Sequence, residues 1–211
     1  NIKLYKGDCM DLMAQTPDKY YDLAIVDPPY GINYEDGGQY FKSKNKMIGK
    51  KWDSKPPTDD YFKELQRVSK NQIIWGGNYF DLPPTRCVLA WTKTAEVQDR
   101  TFSEWEMAWT SFNTIAKYYN LKPFIRGGYR IHPTEKPIQL YEWLLKHYAK
   151  ENDKIIDTHL GSGSIVVAVD KMNKINNMSL QFTGIELDED YYNAMIKRFE
   201  NYNSQTTLNF E

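Results

Sequence analysis

Short, wholly apolar runs separated by helix-like stretches constrain this chain more than any other feature. Asp22-Leu-Ala-Ile-Val-Asp27 is apolar throughout its interior, the signature of a strand covered on both faces. It stops at Pro28-Pro29, which can neither donate ladder hydrogen bonds nor continue the strand. Gln72-Ile-Ile-Trp75 repeats the pattern and closes on Gly76-Gly77-Asn78. Ile2-Lys3-Leu4-Tyr5, Cys87 to Trp91, Lys154-Ile-Ile-Asp157 and Gln181 to Glu186 add four further strands. Trp105, Met107 and Trp109 alternate with Glu104, Glu106 and Ala108, which predicts a strand with one covered face. Asn113 to Tyr119 is expected to pair with it through the corner at Ser111-Phe112.

Helical signals fill the gaps. Cys9 to Gln15 is short. Tyr61, Phe62, Leu65 and Val68 recur at helical spacing behind Thr58, Asp59 and Asp60, residues suited to a first turn. Pro137 opens a helix whose buried stripe is Ile138, Tyr141, Leu144, Leu145 and Tyr148. Ser164 to Met172 forms another. In the last helix Asp188 is the cap, Glu189 and Asp190 suit the positive end, and Lys197 and Arg198 the negative end. Strands alternating with helices imply an α/β chain: an open, mostly parallel, doubly wound sheet with helices on both faces.

A length of 211 residues with 41% hydrophobic and 26% charged content fits a single globular domain over residues 1–211. It excludes a disordered tail, a collagen-like fibre and a coiled coil. No stretch approaches the roughly 18 apolar residues of a membrane span, and the N-terminus does not read as a signal peptide. The chain starts at Asn1 rather than Met, which leaves room for missing or processed leading residues. Two cysteines and three histidines rule out a disulfide framework and a Cys/His zinc module, so no metal site is expected and a reducing cytoplasm is the default. A net charge of −1 gives no whole-domain footprint for nucleic acid, so any such binding needs a local patch. Residues 31–57 are the least structured stretch, holding Gly37-Gly38, Pro56-Pro57 and a lysine-rich run. So long a loop is functional or disordered.

Two constellations carry candidate chemistry. Asp157-Thr-His-Leu-Gly161-Ser162-Gly163 lies between a strand and a helix, where glycines let a ligand approach the backbone and the helix start offers free N–H groups. The next strand ends in Glu186, about the 20 residues further on at which an acidic side chain takes a ribose diol. Taken alone, a nucleoside site and a plain glycine-rich turn with a surface glutamate are equally good readings. The third glycine of a dinucleotide fingerprint would fall on Val166, and no P-loop is present. The second constellation, Asp27-Pro28-Pro29-Tyr30, sits at the carboxyl end of a buried strand, where open α/β sheets bind ligands. It joins an acceptor carboxylate to a flat aromatic face; a bare strand-ending turn is the competing reading.

Asp27-Pro-Pro-Tyr30 resembles the catalytic motif of the amino-group DNA methyltransferases, which make N6-methyladenine or N4-methylcytosine. Gly7-Asp8-Cys9, Trp75-Gly-Gly-Asn78, Trp91-Thr-Lys93, His132-Pro-Thr-Glu-Lys-Pro137 and Gly161-Ser-Gly163 resemble further motifs of that family, over nearly the whole chain. The catalytic motif precedes the cofactor turn, which is similar to the permuted β group. The resemblance implies a Rossmann-like fold with S-adenosylmethionine across the carboxyl ends of the strands. Asp157, Gly161, Ser162 and Gly163 would surround its methionine end with Thr134 and Lys136 nearby, Glu186 would take the ribose, and Asp8 with Cys9 would face the adenine. Asp27 and the Pro28 carbonyl would accept the hydrogens of the target amino group, and Tyr30 would stack on the flipped base. Metal is not implied.

The sequence departs from the family pattern at the cofactor turn, where Thr158-His159 stands for the commoner Pro-Phe; His159 is expected to pack. The resemblance implies that the segment 112–130 is a reduced target-recognition region. Contacts to double-stranded DNA are expected instead from Lys42, Lys44, Lys46, Lys50, Lys51 and Trp52 in the long loop, with Arg126 and Arg130, although a lysine run reads equally as a solvated surface. The implied activity is N6-adenine methylation of DNA after base flipping. N4-cytosine methylation, a catalytically silent binding subunit on the same fold and a nucleotide-dependent oxidoreductase are the alternatives. A bacterial or phage-infected cell, a partner restriction nuclease and a homodimer all fit so compact an enzyme.

Overall fold

The computed structural model describes residues 1–33, 53–93, 103–121, 132 and 134–208, with side chains to 205. Five parallel strands make most of its sheet: β1 (Ile2–Lys6), β8 (Gln181–Glu186), β7 (Lys154–Asp157), β2 (Tyr21–Val26) and β3 (Ser69–Trp75), side by side in that order. Beyond β3 come β5 (Trp105–Thr110), antiparallel to it, then β4 (Val88–Thr92) and, at the edge, β6 (Lys117–Asn120). The mostly parallel sheet is therefore as the sequence implies.

The apolar run of β2 is covered twice. Leu23 and Ile25 point to one face, where they pack with Leu140, Tyr141, Leu144 and Leu145 of α3 (Ile138–Tyr148) and Ile165, Val166 and Val169 of α4 (Ser164–Asn176). Ala24 and Val26 point to the other, against Met13 of α1 (Cys9–Ala14) and Tyr61, Phe62, Leu65 and Val68 of α2 (Asp59–Val68). The period of two along a strand is what divides one run between two cores. Burial of each of these large side chains stabilises the sheet by about 1.5–3 kcal/mol.

Chain order reverses between β2 and β7. From β2 the chain crosses to β3 on one side, and from β7 it crosses to β8 on the other. The diverging crossovers leave a crevice outside the carboxyl ends of these two adjacent strands, the place where open α/β sheets bind ligands.

Two expectations are corrected. Lys117–Asn120 pairs in parallel with β4, not with the Trp105 strand. The antiparallel partners of that strand are β3 and β4, which fill both its edges. The last helix, α5, runs Glu189–Leu208, so Lys197 and Arg198 lie in its middle rather than at its negative end. Its N-terminus is as read: Asp188 Oδ1 accepts from the N–H groups of Asp190 (2.9 Å) and Tyr191 (3.1 Å). Among the described residues, no helix is long and apolar enough to cross a membrane.

Candidate active site

Asp27 follows β2 directly, and Pro28-Pro29 end the strand there. The turn is held from a distance: Asp53, 1% exposed, accepts with Oδ1 from the N–H groups of Tyr30 (2.7 Å) and Gly31 (2.8 Å). Asp53 was invisible as a site residue because it closes a long loop with no pattern of its own. Tyr30 turns inward, donating its hydroxyl to Asp27 Oδ1 at 2.7 Å while its ring stacks on Tyr79, with centroids 4.9 Å apart and planes 12° apart.

Lys136 occupies the other oxygen of Asp27. Its ammonium lies 2.5 Å from Oδ2, 3.3 Å from Glu106 Oε2 on β5 and 5.3 Å from the centre of the Trp75 ring. Glu106 in turn pairs with Lys93 at 2.9 Å. Burial pushes the Asp27 carboxyl up and Lys136 draws it back, while Glu106 pushes it up again. For Lys136, burial works against the charge, but the two carboxylates prevail and keep it an ammonium. The resemblance places Lys136 near the cofactor; the fold sets it directly on Asp27, 109 residues away in sequence.

The second half of the site is at the ends of β7 and β8. Asp157 accepts from the His159 N–H at 2.9 Å, and its carboxyl is pushed up to about 8 by burial, with the charges of Asp27 and Glu186 adding to the effect. Glu186 accepts from Gly161 N–H with one oxygen (2.8 Å) and from Asp188 N–H with the other (2.9 Å), which leaves each oxygen a second lone pair. Gly161 and Gly163 both have left-handed backbone, at φ 49° and 70°. The turn is braced by Arg198, which donates to the Ser162 carbonyl (2.8 Å) and pairs with Glu135 (2.7 Å). Ser162 is buried, with its hydroxyl 3.2 Å from that of Ser164. Thr134 Oγ1 lies 3.0 Å from His132 Nδ1, and burial lowers that imidazole to about 3, so it is neutral. His159 packs edge-on to Tyr61, and its Nδ1 lies 2.9 Å from the Thr158 hydroxyl, itself 2.6 Å from that of Tyr61.

Asp8 caps α1, accepting from Met10 N–H at 2.8 Å, and its carboxylate stays exposed. Beside it the Cys9 thiol is pushed up to about 12, by burial and then by the Asp8 charge, and is no nucleophile. The expected DNA contacts at Lys42, Lys44, Lys46, Lys50, Lys51, Trp52, Arg126 and Arg130 lie outside the described residues.

Asp8, Glu186, Asp157 and Asp27 thus lie at the carboxyl ends of β1, β8, β7 and β2, four neighbouring strands in that spatial order. At the usual strand spacing the row spans about 14 Å. A line of acceptors beside a glycine turn suits an extended ligand that is cationic and rich in hydroxyl and amino donors. The family model described as DNA methylase, N6_N4_Mtase, matches residues 74–198. The chain belongs to this family. Its methyl donor is S-adenosylmethionine, whose sulfonium, ammonium, ribose hydroxyls and adenine amino group fit that row of acceptors.

The methylase is 25% identical over 214 residues to YubD of Escherichia coli (strain K12), designated a methylase by name only, covering 91% of this chain and 87% of that one. It is 22% identical over 246 residues to the type II methyltransferase M2.MboI of Moraxella bovis, covering 94% and 88%. Its fold matches the M1.HpyAVI–SAM complex (TM-score 0.57, 18% identity, 94% of this chain and 100% of that one). It also matches the cytosine-N4-specific PvuII DNA methyltransferase (TM-score 0.61, 14% identity, 94% and 86%). Among the described residues, no group of His, Cys, Asp or Glu is arranged to hold a metal ion.

Proposed function

We propose that this methylase transfers a methyl group to the N6 amino group of adenine in double-stranded DNA, with Asp27-Pro28-Pro29-Tyr30 as the catalytic motif. The row of four carboxylates carries the reading. Along it Asp8, with Cys9 beside it, faces the adenine of the donor, Glu186 the ribose hydroxyls, and Asp157 the methionine ammonium. The Gly161-Ser162-Gly163 turn offers its backbone to the same end, with Thr134 at its side, and Asp27 stands last, where the target base enters. Aspartate rather than serine at position 27 favours adenine over cytosine. Phosphate contacts fall to Lys42, Lys44, Lys46, Lys50, Lys51, Arg126 and Arg130, with Trp52 on the bases.

An exocyclic amino nitrogen delocalises its lone pair into the ring and is a poor nucleophile. Asp27 and the Pro28 carbonyl accept its two hydrogens, which favours a pyramidal nitrogen with an available lone pair. S-adenosylmethionine, when bound, supplies a methyl carbon made electrophilic by its sulfonium. Asp27 stabilises the positive charge that grows on the nitrogen and accepts the proton the nitrogen then releases, so its role combines positioning with preorganised electrostatics. The base must leave the duplex stack first, at a cost of a few kcal/mol. Tyr30, freed from Asp27, offsets part of that cost by stacking, worth about 1–3 kcal/mol.

The test is to incubate the protein with tritium-labelled S-adenosylmethionine and unmethylated duplex DNA, then identify the labelled nucleoside. Label in N6-methyladenine, reduced at least about 100-fold by Asp27→Ala, is expected. Label in N4-methylcytosine would overturn the choice of base and keep the mechanism. Donor binding without transfer would refute catalysis and favour a silent binding subunit.

A further inference from the structure

Asp27 does not meet the cleft as a simple carboxylate. Lys136 stands on its Oδ2 at 2.5 Å, almost fully buried. An isolated pair of that kind is nearly neutral from outside, so it would offer little stabilisation to positive charge growing on an amino nitrogen. Removing the lysine is no remedy, because a buried carboxylate without a partner takes up a proton. The fold places a second carboxylate on the same ammonium: Glu106 Oε2 lies 3.3 Å from Lys136 Nζ, and Lys93 holds Glu106 from its far side at 2.9 Å. From the cleft outward the charges run negative, positive, negative, positive. Lys136 is the dry centre of that chain: its side chain is 2% exposed, against 17% for Asp27, 24% for Glu106 and 13% for Lys93. The anionic end faces the site.

We infer that Glu106 is a positioning residue for the methyl transfer: by sharing Lys136 with Asp27, it lets that lysine orient the carboxylate without neutralising it. The inference rests on Asp27 receiving the target amino group, as proposed above. Glu106 touches neither base nor donor in this account; it acts through Lys136. Its place on β5 suits the task, because Glu106 pairs with Trp91 of β4 and, two residues on, Ala108 pairs with Trp75 of β3, which fixes the strand that carries it.

The network has a signed signature. Asp27 must be ionised to act, so its protonation sets the acid limb of the kcat–pH profile. The Glu106 charge raises the proton affinity of Asp27. Glu106→Gln should therefore move the acid limb down by about one pH unit while lowering the plateau at least about tenfold. Lys93→Met removes a positive charge and should move the limb up. The other groups facing Asp27 are Tyr30, Tyr61, Tyr141 and Asp157. The three tyrosines are held well above the usual phenol range and stay neutral. Asp157 titrates nearby but is common to every variant, so it drops out of the comparison.

The experiment measures kcat, KM for DNA and donor affinity for wild type, Glu106→Gln and Lys93→Met across pH. In the ligand-free proteins, carboxyl-carbon NMR follows the Asp27 titration, assigned with Asp27→Asn. Opposite displacements of limb and titration, a reduced kcat in Glu106→Gln and donor affinity within about twofold of wild type are expected. An unmoved titration, or a fall in kcat with an unmoved limb, would overturn the inference, since loss of packing alone has no sign. Opposite NMR displacements in the two variants, with no methyl transfer by the wild type, would instead refute the proposed function, and with it the positioning role of Glu106 in methyl transfer.

Discussion

Asp157 should make the free protein less stable than it need be, in a pH-dependent way. Its carboxyl holds its proton up to about 8 in the native state, against 3.8 for an ordinary aspartate. Over that window the native chain binds more protons than the unfolded one. Its stabilising contribution is therefore fully present below about pH 4 and is lost as pH rises to about 8. At about 1.4 kcal/mol per pH unit the whole loss is capped at about 5–6 kcal/mol, of which about 3 kcal/mol falls between pH 5.5 and pH 9. Asp157→Asn keeps the acceptor for the His159 N–H, seen at 2.9 Å, and removes the ionisation. Its new amide donor costs about 1–2 kcal/mol if it finds no partner, a constant offset at every pH. Thermal unfolding without ligand should thus show Asp157→Asn gaining on wild type by roughly 5–10 °C between about pH 5.5 and about pH 9. A difference in melting temperature that does not change with pH would show that the burial of the Asp157 charge is not what the site costs, and would overturn this expectation. The same variant is expected to lose donor binding, since an amide cannot pair with the methionine ammonium as a carboxylate does.

Binding of S-adenosylmethionine to wild type near pH 7 should release a proton from Asp157, seen in calorimetry as a heat that changes with the ionisation enthalpy of the buffer; no such change would contradict the assignment. Gly161→Ala and Gly163→Ala should differ in kind. At Gly161 (φ 49°) the nearest neighbour of an added Cβ is the His132 ring at 3.6 Å, an ordinary contact, so stability should fall by about 1–2 kcal/mol while donor affinity is lost. At Gly163 (φ 70°) the Cβ would come 2.2 Å from Met195 Cγ, and the loss of about 2–4 kcal/mol should appear in the melting temperature itself. Tyr30→Phe, which removes only the hydroxyl on Asp27, should cost less in kcat than Tyr30→Ala. The latter should lose about 10–100-fold together with the fluorescence change of a 2-aminopurine placed at the target base.

Much of this was legible in the linear chain because it depends on neighbours in sequence. The run Asp22–Asp27 announces a strand buried on both faces, Pro28-Pro29 stop it, and three acidic residues, Asp27, Asp157 and Glu186, end up at strand termini by simple alternation of elements. Asp188 as a helix cap and the glycines of the 157–163 turn are local matters too, decided by backbone geometry within a few residues. The motif strings identified the family because their order along the chain is itself one-dimensional information.

What the tertiary structure decided is which of those strand ends are neighbours and what reaches them from far away. No local signal tells that β8 and β7 are inserted between β1 and β2, yet that order is what lines up Asp8, Glu186, Asp157 and Asp27. Pairing Lys117–Asn120 with β4 rather than β5 depended on which edges were already filled. Asp53 on the Tyr30 turn, Arg198 on the Ser162 carbonyl, and Lys136 between Asp27 and Glu106 are long-range contacts of charged side chains. Local pattern sees such residues only as solvated surface. Their roles arise because a buried charge must find an opposite partner wherever the closed fold supplies one, and that requirement acts on distances in space, which spacing along the chain does not encode.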